Sequence, residues 1–311
     1  MKIVFFASGE FAVPVLSRLG QDRAYRPVCV VTQPDRPAGR GLKLRPSPVK
    51  VFCLRQGLRL YQPSGLRGDE AYDYLRQLNA DLFIVVAYGC IIPQRILSLP
   101  KIFSLNIHAS LLPKYRGAAP INWAIINGES RTGISLIRMN EFVDKGDMLL
   151  SHSLNIEDTD DARTLSARLS ALAADNIASA LDLIAGGKYR LCPQDEARAS
   201  SAPKLTRAQA RIDWTKTARA IANQVRGLVP WPAAWTRRAG KLLKIWEAVA
   251  RDDVFGGGGK PGEVLDTKEA GIFVRCGGGV LVIRQAQWEG GKRMPAGDIV
   301  CGRGINKGDF L

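Results

Sequence analysis

The sequence contains very little histidine: its 311 residues include only His108 and His152. Its six cysteines are scattered, without a C-x-x-C pair and without a histidine at metal-ligand spacing. This scatter argues against a zinc site and against the disulfide framework of a secreted protein. We therefore predict free thiols, no metal cofactor and a cytoplasmic location.

Three other patterns are missing. No apolar run reaches the roughly 20 residues that a membrane helix needs, so we expect no membrane partner. No G-x-G-x-x-G follows the first apolar strand, which disfavours a dinucleotide cofactor. The chain has no G-x-S-x-G and no cysteine beside His108, so no protein nucleophile is evident. Direct transfer between two bound substrates is favoured over a covalent intermediate.

Positive charge is present in excess, with a formal net charge of +15. Residues 206–311 contain 18 Lys and Arg against 10 Asp and Glu, and residues 1–205 contain 26 against 19. The C-terminal third is therefore the more basic part per residue. Such an excess suits a polyanionic partner, because each phosphate contact releases counterions. Charge alone does not identify that partner.

Apolar strands alternate with helices in the first part of the chain. The pattern predicts strands at 2–7, 26–33, 59–64, 81–89, 103–110, 132–140 and 147–157, and helices at 10–20, 68–79 and 161–187. Continuous apolar strands separated by helices are typical of a parallel sheet covered on both faces. We predict the α/β class, with a Rossmann-like, mostly parallel sheet.

The composition changes after the long helix. Residues 192–212 lack apolar periodicity, which is typical of a linker. A short helix at 217–228 follows, and then β-like segments separated by glycine turns, which favour a small OB-like β-barrel. We predict a catalytic domain at 1–189, a linker at 190–206 and a C-terminal domain at 207–311.

The stretch LNIHASLLPKYRGAAP (105–120) places two polar side chains on one face of an apolar strand, Asn106 and His108. Ligands of open α/β sheets bind at the carboxyl ends of the strands, where this strand ends. A core histidine tied to a backbone carbonyl is the alternative explanation. Against it, a Pro/Gly/Arg loop follows directly, and the acidic turn EFVDKGDM (141–148) could return Asp144 to the same edge.

Asn, His and Asp together suit the attack of an amine on a carbonyl-like carbon. A histidine can accept the amine proton or donate to the developing oxyanion. An asparagine offers that oxyanion an uncharged N–H. An aspartate can hold the imidazole tautomer and stabilise its charged form.

The stretch LNIHASLLPKYRGAAPINWAIINGE (105–129) resembles the signature of the folate-dependent formyltransferases, which use 10-formyltetrahydrofolate as co-substrate. AYGCIIP (87–93) resembles their folate-pocket segment, and VDKGDM (143–148) resembles their catalytic acidic turn, although Lys145 departs from the usual threonine. The resemblance implies that Asn106, His108 and Asp144 are catalytic. It also implies a folate site formed by Tyr88, Ile91, Ser110, Leu111, Leu112 and Pro113.

The basic stretch TQPDRPAGRGLKLRPSPVK (32–50) resembles the insertion loop of those family members that act on methionyl-tRNA. Most charge runs are solvated surface loops, but an RNA acceptor arm with its phosphates suits such a loop. The resemblance implies that the loop binds the acceptor arm through Arg36, Arg40, Lys43 and Arg45.

The resemblance covers nearly the whole chain and implies an enzyme that formylates initiator methionyl-tRNA for translation initiation. We expect the chain to be a monomer. Two alternatives remain open. One is the same chemistry on a small amine, such as an amino sugar nucleotide or glycinamide ribonucleotide. The other is a non-catalytic RNA-binding protein on the same scaffold.

Overall fold

The computed structural model describes residues 1–38, 43–252, 256, 258–268, 271–302 and 304–311. It divides into two compact units, and neither is continuous in the chain. The first unit comprises Met1–Gly117, Thr132–Leu154 and Ser166–Ser201; the second comprises Ala118–Arg131, Asn155–Leu165 and Ala202–Leu311. The boundaries at 189 and 206 stay a prediction.

The first unit is built on a seven-stranded sheet. The strands of this part of the chain are β1 Ile3–Ala7, β2 Cys29–Val31, β3 Arg36–Ala38, β4 Lys43–Arg45, β5 Leu60–Tyr61, β6 Leu82–Val86, β7 Phe103–His108, β8 Arg131–Arg138 and β9 Met148–Asn155. The sheet order is β5-β2-β1-β6-β7-β8-β9. The five neighbouring strands β5, β2, β1, β6 and β7 pair in parallel, and β8 is antiparallel to β7. The predicted Rossmann-like, mostly parallel sheet is confirmed.

The helices among the described residues are α1 Val13–Gln21, α2 Pro48–Gln56, α3 Asp69–Gln77, α4 Gln94–Leu97, α5 Pro120–Ile126, α6 Ala162–Ala185, α7 Ala218–Gly227 and α8 Ala296–Cys301. Short 3-10 helices lie at Glu10–Ala12, Glu196–Arg198 and Ala208–Ala210. No helix in the described part of the chain is long and apolar enough to cross a membrane.

The two central strands β1 and β6 are buried at every position, as a sheet covered on both faces requires. Their carboxyl ends are tied together, because the amides of Ser8 and Gly9 both donate to the carbonyl of Ala87, at 3.2 and 3.0 Å. Ala87 has a φ of 46° and turns the chain sharply at the end of β6. This edge is where the predicted site residues lie.

The sequence predicts a loop for the basic stretch at 32–50, but the structure shows a hairpin followed by a helix. Strands β3 and β4 form an antiparallel hairpin in which Arg36 lies opposite Arg45. Helix α2 begins directly afterwards, since Ser47 caps it by accepting from the Lys50 amide at 3.0 Å. Arg40 lies outside the described residues, and only the backbone of Lys43 is described.

The second unit contains a separate antiparallel sheet. Its strands are β10 Ala234–Arg238, β11 Lys241–Arg251, β12 Val264–Lys268, β13 Gly271–Arg275, β14 Val280–Trp288 and β15 Met294–Pro295. The order is β10-β11-β14-β13-β12, with β15 beside β14. The predicted helix at 217–228 is α7, which packs on β11 through an apolar face that includes Ile221 and Val225. The β-rich C-terminal domain is confirmed, and its closure into an OB-like barrel stays a prediction.

The burial of the cysteines predicts which thiols react. Cys90, Cys192 and Cys301 are exposed. Burial raises the pKa of Cys53 and of Cys276 to about 11, and it also raises the pKa of Cys29. Because the thiolate is the reacting form, iodoacetamide at neutral pH should modify the three exposed cysteines and spare the buried three, as counted by mass spectrometry of peptides.

The control for this labelling is the chain unfolded in urea, where all six cysteines should react. Labelling of Cys29, Cys53 or Cys276 in the folded chain at the rate of the exposed thiols would contradict the described core.

Candidate functional site

Three predicted residues meet at the end of β7. Asp144, in the turn between β8 and β9, faces Asn106 and His108 of this strand. Its Oδ1 accepts from Asn106 Nδ2 at 3.3 Å and lies 3.5 Å from His108 Nδ1. The predicted return of the acidic turn to this edge is therefore observed.

His108 is held at both ring nitrogens and is only 6% exposed. Its Nε2 lies 2.9 Å from the carbonyl oxygen of Tyr115, which can only accept, so Nε2 carries a proton in this arrangement. Nδ1 faces the Asp144 carboxylate. The backbone tie expected of a core histidine and the carboxylate contact expected of a catalytic one are thus both present. A proton that reaches Nδ1 is stabilised by the facing carboxylate.

Hydroxyl groups shape the loop that follows β7. Ser135 Oγ donates to the Ser110 carbonyl at 2.8 Å and accepts from the Leu112 amide at 3.0 Å. Ser110 Oγ donates to the Lys114 carbonyl at 2.6 Å. The loop then reaches Tyr115 at a φ of 63°. This path directs the Tyr115 carbonyl toward His108.

The acidic turn has an unusual backbone. Asp144 has a φ of 54°, a left-handed conformation that costs about 1–2 kcal/mol for a residue other than glycine. Its Oδ2 accepts from the Gly117 amide at 2.9 Å. Gly146 lies so close to β8 that a Cβ would stand 1.7 Å from the Arg138 carbonyl oxygen. Only glycine fits there, which explains its place two residues after Asp144.

Three further residues surround the turn and were not among the predicted site residues. Gln194 donates from Nε2 to the carbonyls of Asp144 and Gly146, at 2.8 and 2.7 Å. Arg116 donates to Gln194 Oε1 and forms a bidentate ion pair with Glu196. Arg116 stands inside the LNIHASLLPKYRGAAP motif, so its place could have been noticed. Gln194 and Glu196 lie in a segment whose sequence predicts only a linker.

The residues assigned to the folate site differ in their surroundings. The Tyr88 ring is buried and packs edge-on against Phe6, with centroids 5.6 Å apart, and burial raises its pKa to about 12. Ile91 is 81% exposed. Ser110 and Leu112 are buried, whereas Leu111 and Pro113 are partly exposed. Their contact with folate stays a prediction.

The charges of the β3–β4 hairpin are unequal in their surroundings. Lys50 forms an ion pair with Asp35 at 2.8 Å. This hydrogen-bonded lysine, with Gln62, holds the pKa of the Asp35 carboxyl below its usual value. Arg36 and Arg45 are exposed. The hairpin therefore presents Arg36 and Arg45 to solvent, while the neighbouring Asp35 is paired with Lys50 of α2.

No group of three or more His, Cys, Asp or Glu side chains that could hold a metal ion occurs among the residues that the structure describes. A cavity of about 480 Å³ lies within the second unit and is lined by residues of α7 and of the segments 126–130 and 156–158. None of the predicted site residues lines it.

Comparison with known proteins assigns the chain to a class. Residues 1–181 match the family model described as Formyl transferase, and residues 204–304 match the one described as Formyl transferase, C-terminal domain. Together with the sheet and the residues at the end of β7, these matches define a formyl transferase.

Full-length relatives narrow the class. The chain is 45% identical over 311 residues to the methionyl-tRNA formyltransferase of Citrifermentans bemidjiense, covering 100% of this chain and 96% of the relative. It is 44% identical over 312 residues to that of Caldanaerobacter subterraneus, covering 100% of each. The chain belongs to the methionyl-tRNA formyltransferase family.

Solved structures share the fold at lower identity. An N-formyltransferase from Helicobacter canadensis, in complex with folinic acid and dTDP-3-aminofucose, aligns with a TM-score of 0.68 and 18% identity over 91% of this chain and 99% of that one. HypX from Aquifex aeolicus, in complex with tetrahydrofolic acid, aligns with a TM-score of 0.63 and 19% identity over 96% of this chain. This chain spans 47% of HypX.

The close approach at Gly146 predicts a large effect of one methyl group. Gly146→Ala should lower the free energy of unfolding by about 1–3 kcal/mol, because the added Cβ would collide with the Arg138 carbonyl. Urea unfolding followed by circular dichroism measures the change. Gly65→Ala is the matched control, since that glycine has no atom within 4 Å of its added Cβ, and it should stay within about 0.5 kcal/mol. Equal stability of the two variants would contradict the described turn.

Proposed function

We propose that this chain transfers the formyl group of 10-formyltetrahydrofolate to the free α-amino group of initiator methionyl-tRNA, giving N-formylmethionyl-tRNA for translation initiation. The observation that carries the proposal is the convergence of Asn106, His108 and Asp144 at the carboxyl end of β7, in a chain 45% identical over its full length to a methionyl-tRNA formyltransferase.

The residues at the strand ends fit a folate co-substrate. After β6, the chain turns through Ala87 and Gly89 at positive φ and exposes the apolar Ile91. After β7, Leu111 and Pro113 are partly exposed. Apolar side chains beside main-chain amides and carbonyls suit a flat heteroaromatic ring with a polar edge. When bound, the folate supplies the formyl carbon as electrophile.

The chemistry required of the protein is one proton transfer and the stabilisation of one oxyanion. The bond from the amine nitrogen to the formyl carbon forms and the bond from that carbon to the folate nitrogen breaks. The amine loses a proton and the leaving nitrogen gains one. Asn106 Nδ2 has a second N–H for the oxyanion. The pair formed by His108 Nδ1 and Asp144 accepts and returns the proton.

Recognition of the tRNA is proposed for the β3–β4 hairpin. Arg36 and Arg45 lie opposite each other and are exposed, so one cross-strand pair offers two guanidinium groups. Guanidinium groups bind phosphate oxygens in a bidentate manner. Phosphate contacts of this kind position an RNA without reading its sequence. Arg40, which lies outside the described residues, and Lys43 remain predicted tRNA contacts.

A monomeric state and a cytoplasmic location remain predictions that go with this proposal. The cytoplasmic location follows from the scattered cysteines, and cell fractionation tests it. Analytical ultracentrifugation tests the monomeric state.

The first test is a formyl-transfer assay with charged initiator methionyl-tRNA and 10-formyltetrahydrofolate at two salt concentrations. Formylation of the methionine amine should be observed, and kcat/KM for the tRNA should fall as salt rises, because phosphate contacts release counterions. Folate turnover without formylation of the tRNA would move the acceptor to a small amine. Failure to bind folate would favour a non-catalytic RNA-binding protein.

The hairpin arginines give this assay an internal comparison. The variant Arg36→Ala/Arg45→Ala should raise KM for the tRNA, leave KM for the folate unchanged and reduce the slope of the salt dependence by about 1–2. Arg18→Ala is the control, because Arg18 is an exposed arginine in the last turn of α1, outside the hairpin. An unchanged salt slope in the hairpin variant would overturn the assignment of Arg36 and Arg45.

The role of His108 is tested by the contrast between the two histidines. His108→Ala should lower kcat by about 10²- to 10⁴-fold, the usual contribution of a positioned acid–base group. His152→Ala should retain turnover. Circular dichroism of both variants controls for folding, and normal turnover by folded His108→Ala would refute the proposed mechanism.

A further inference from the structure

The acidic turn depends on groups outside the catalytic trio. Asp144 is in the left-handed region, and its neighbours do not continue a strand or a helix. Backbone carbonyls in such a turn need donors from elsewhere, since no regular structure supplies them. The carbonyls of Asp144 and Gly146 both find the same donor, the side-chain amide of Gln194.

Both hydrogens of that amide are used. Gln194 Nε2 lies 2.8 Å from the Asp144 carbonyl oxygen and 2.7 Å from that of Gly146. One side chain therefore holds the backbone on both sides of Lys145. This fixes the direction in which the Asp144 side chain leaves the turn.

The orientation of the amide is itself determined. Arg116 donates from Nε and Nη2 to Gln194 Oε1, at 3.0 and 2.8 Å. A flipped amide would turn its NH₂ group toward the guanidinium, donor against donor. Glu196 anchors Arg116 through two bonds of 2.9 Å, and Arg116 is only 9% exposed.

Arg116 also connects this amide to the loop after β7. It stands between Tyr115, whose carbonyl meets His108, and Gly117, whose amide meets Asp144. Gln194 thus joins the two segments that hold opposite sides of the His108–Asp144 pair. The bonds run from Glu196 through Arg116 and Gln194 to the backbone of Asp144.

We infer that Gln194 is a positioning residue for formyl transfer, acting by holding the acidic turn so that the Asp144 carboxylate faces Asn106 and His108. The inference rests on the proposed function. It differs from a purely stabilising role, because loss of the amide should disturb the environment of His108 while the rest of the chain stays folded.

The variants Gln194→Glu and Gln194→Ala test this. Gln194→Glu keeps an acceptor for Arg116 and replaces the donor of the two carbonyls by an oxygen. Gln194→Ala removes both functions. Gln224→Ala is the matched control, since Gln224 in the second unit also donates from Nε2 to two backbone carbonyls, those of Gln209 and Arg211, and is 8% exposed.

Two measurements are made on each full-length variant. Steady-state kinetics should show kcat lowered about 10- to 100-fold in both Gln194 variants, with KM for tRNA and folate near the original values, because misplacement of reacting groups acts on the chemical step. NMR of the imidazole groups should show the His108 signals displaced in both variants. The chain has two histidines, so a His152→Ala background assigns the spectrum.

The outcomes separate the two ideas. Displaced His108 signals and lowered kcat in the Gln194 variants, but not in Gln224→Ala, support positioning. Unchanged His108 signals in folded Gln194→Ala would overturn it, as would equal kinetic losses in Gln224→Ala. If the unaltered chain fails to formylate methionyl-tRNA, the proposed function fails, and the NMR comparison still decides whether Gln194 holds Asp144 against His108.

Discussion

The Asp144 carboxylate is the interaction on which the site depends. Oδ2 takes the amide of Gly117, and Oδ1 is shared by Asn106 and His108. One side chain thus connects the last strand of the parallel part of the sheet, the loop that follows it and the turn between β8 and β9. The carboxylate is 13% exposed, so its charge is little screened by water. Without it, Asn106 and His108 would be two polar groups on a strand with no common partner.

Most of the fold could be predicted from the sequence, because the sheet is built from apolar runs. Strands such as β1 and β6 are buried at every residue, and this burial is visible in the sequence as a continuous run of apolar residues. Helix α2 shows only a weak apolar pattern in the sequence, because only Val49 and Cys53 of its nine residues are buried. Its start is determined by the cap at Ser47 and its end by Gly57 at a φ of 61°. In the hairpin β3–β4, the side chains whose burial is described, those of Arg36, Pro37, Leu44 and Arg45, are all exposed, so this stretch shows the pattern of a loop.

Some residues of the site could likewise be predicted from the sequence, and others could not. Asn106 and His108 could be found because these polar residues interrupt an apolar strand. Asp144 could be found because it lies in a short acidic turn that follows another apolar strand. Gln194 lies 50 residues from the turn that it binds, and Glu196 lies 80 residues from Arg116. Contacts between polar side chains and distant backbone carbonyls create no periodicity. A single sequence therefore shows the groups that act on a substrate sooner than the groups that hold them.

The discontinuity of the two units has a consequence for synthesis of the chain. Ala118–Arg131 belongs to the second unit, where Trp123 and Ile126 pack against an apolar cluster whose members, apart from Ala119, lie between Leu205 and Ile305. Those partners leave the ribosome long after the segment itself. Until those partners are made, Trp123 and Ile126 lack the apolar cluster that they pack against in the folded chain. The last third of the polypeptide therefore completes a structure begun in the middle, and a protein truncated there would expose this segment to proteases and chaperones.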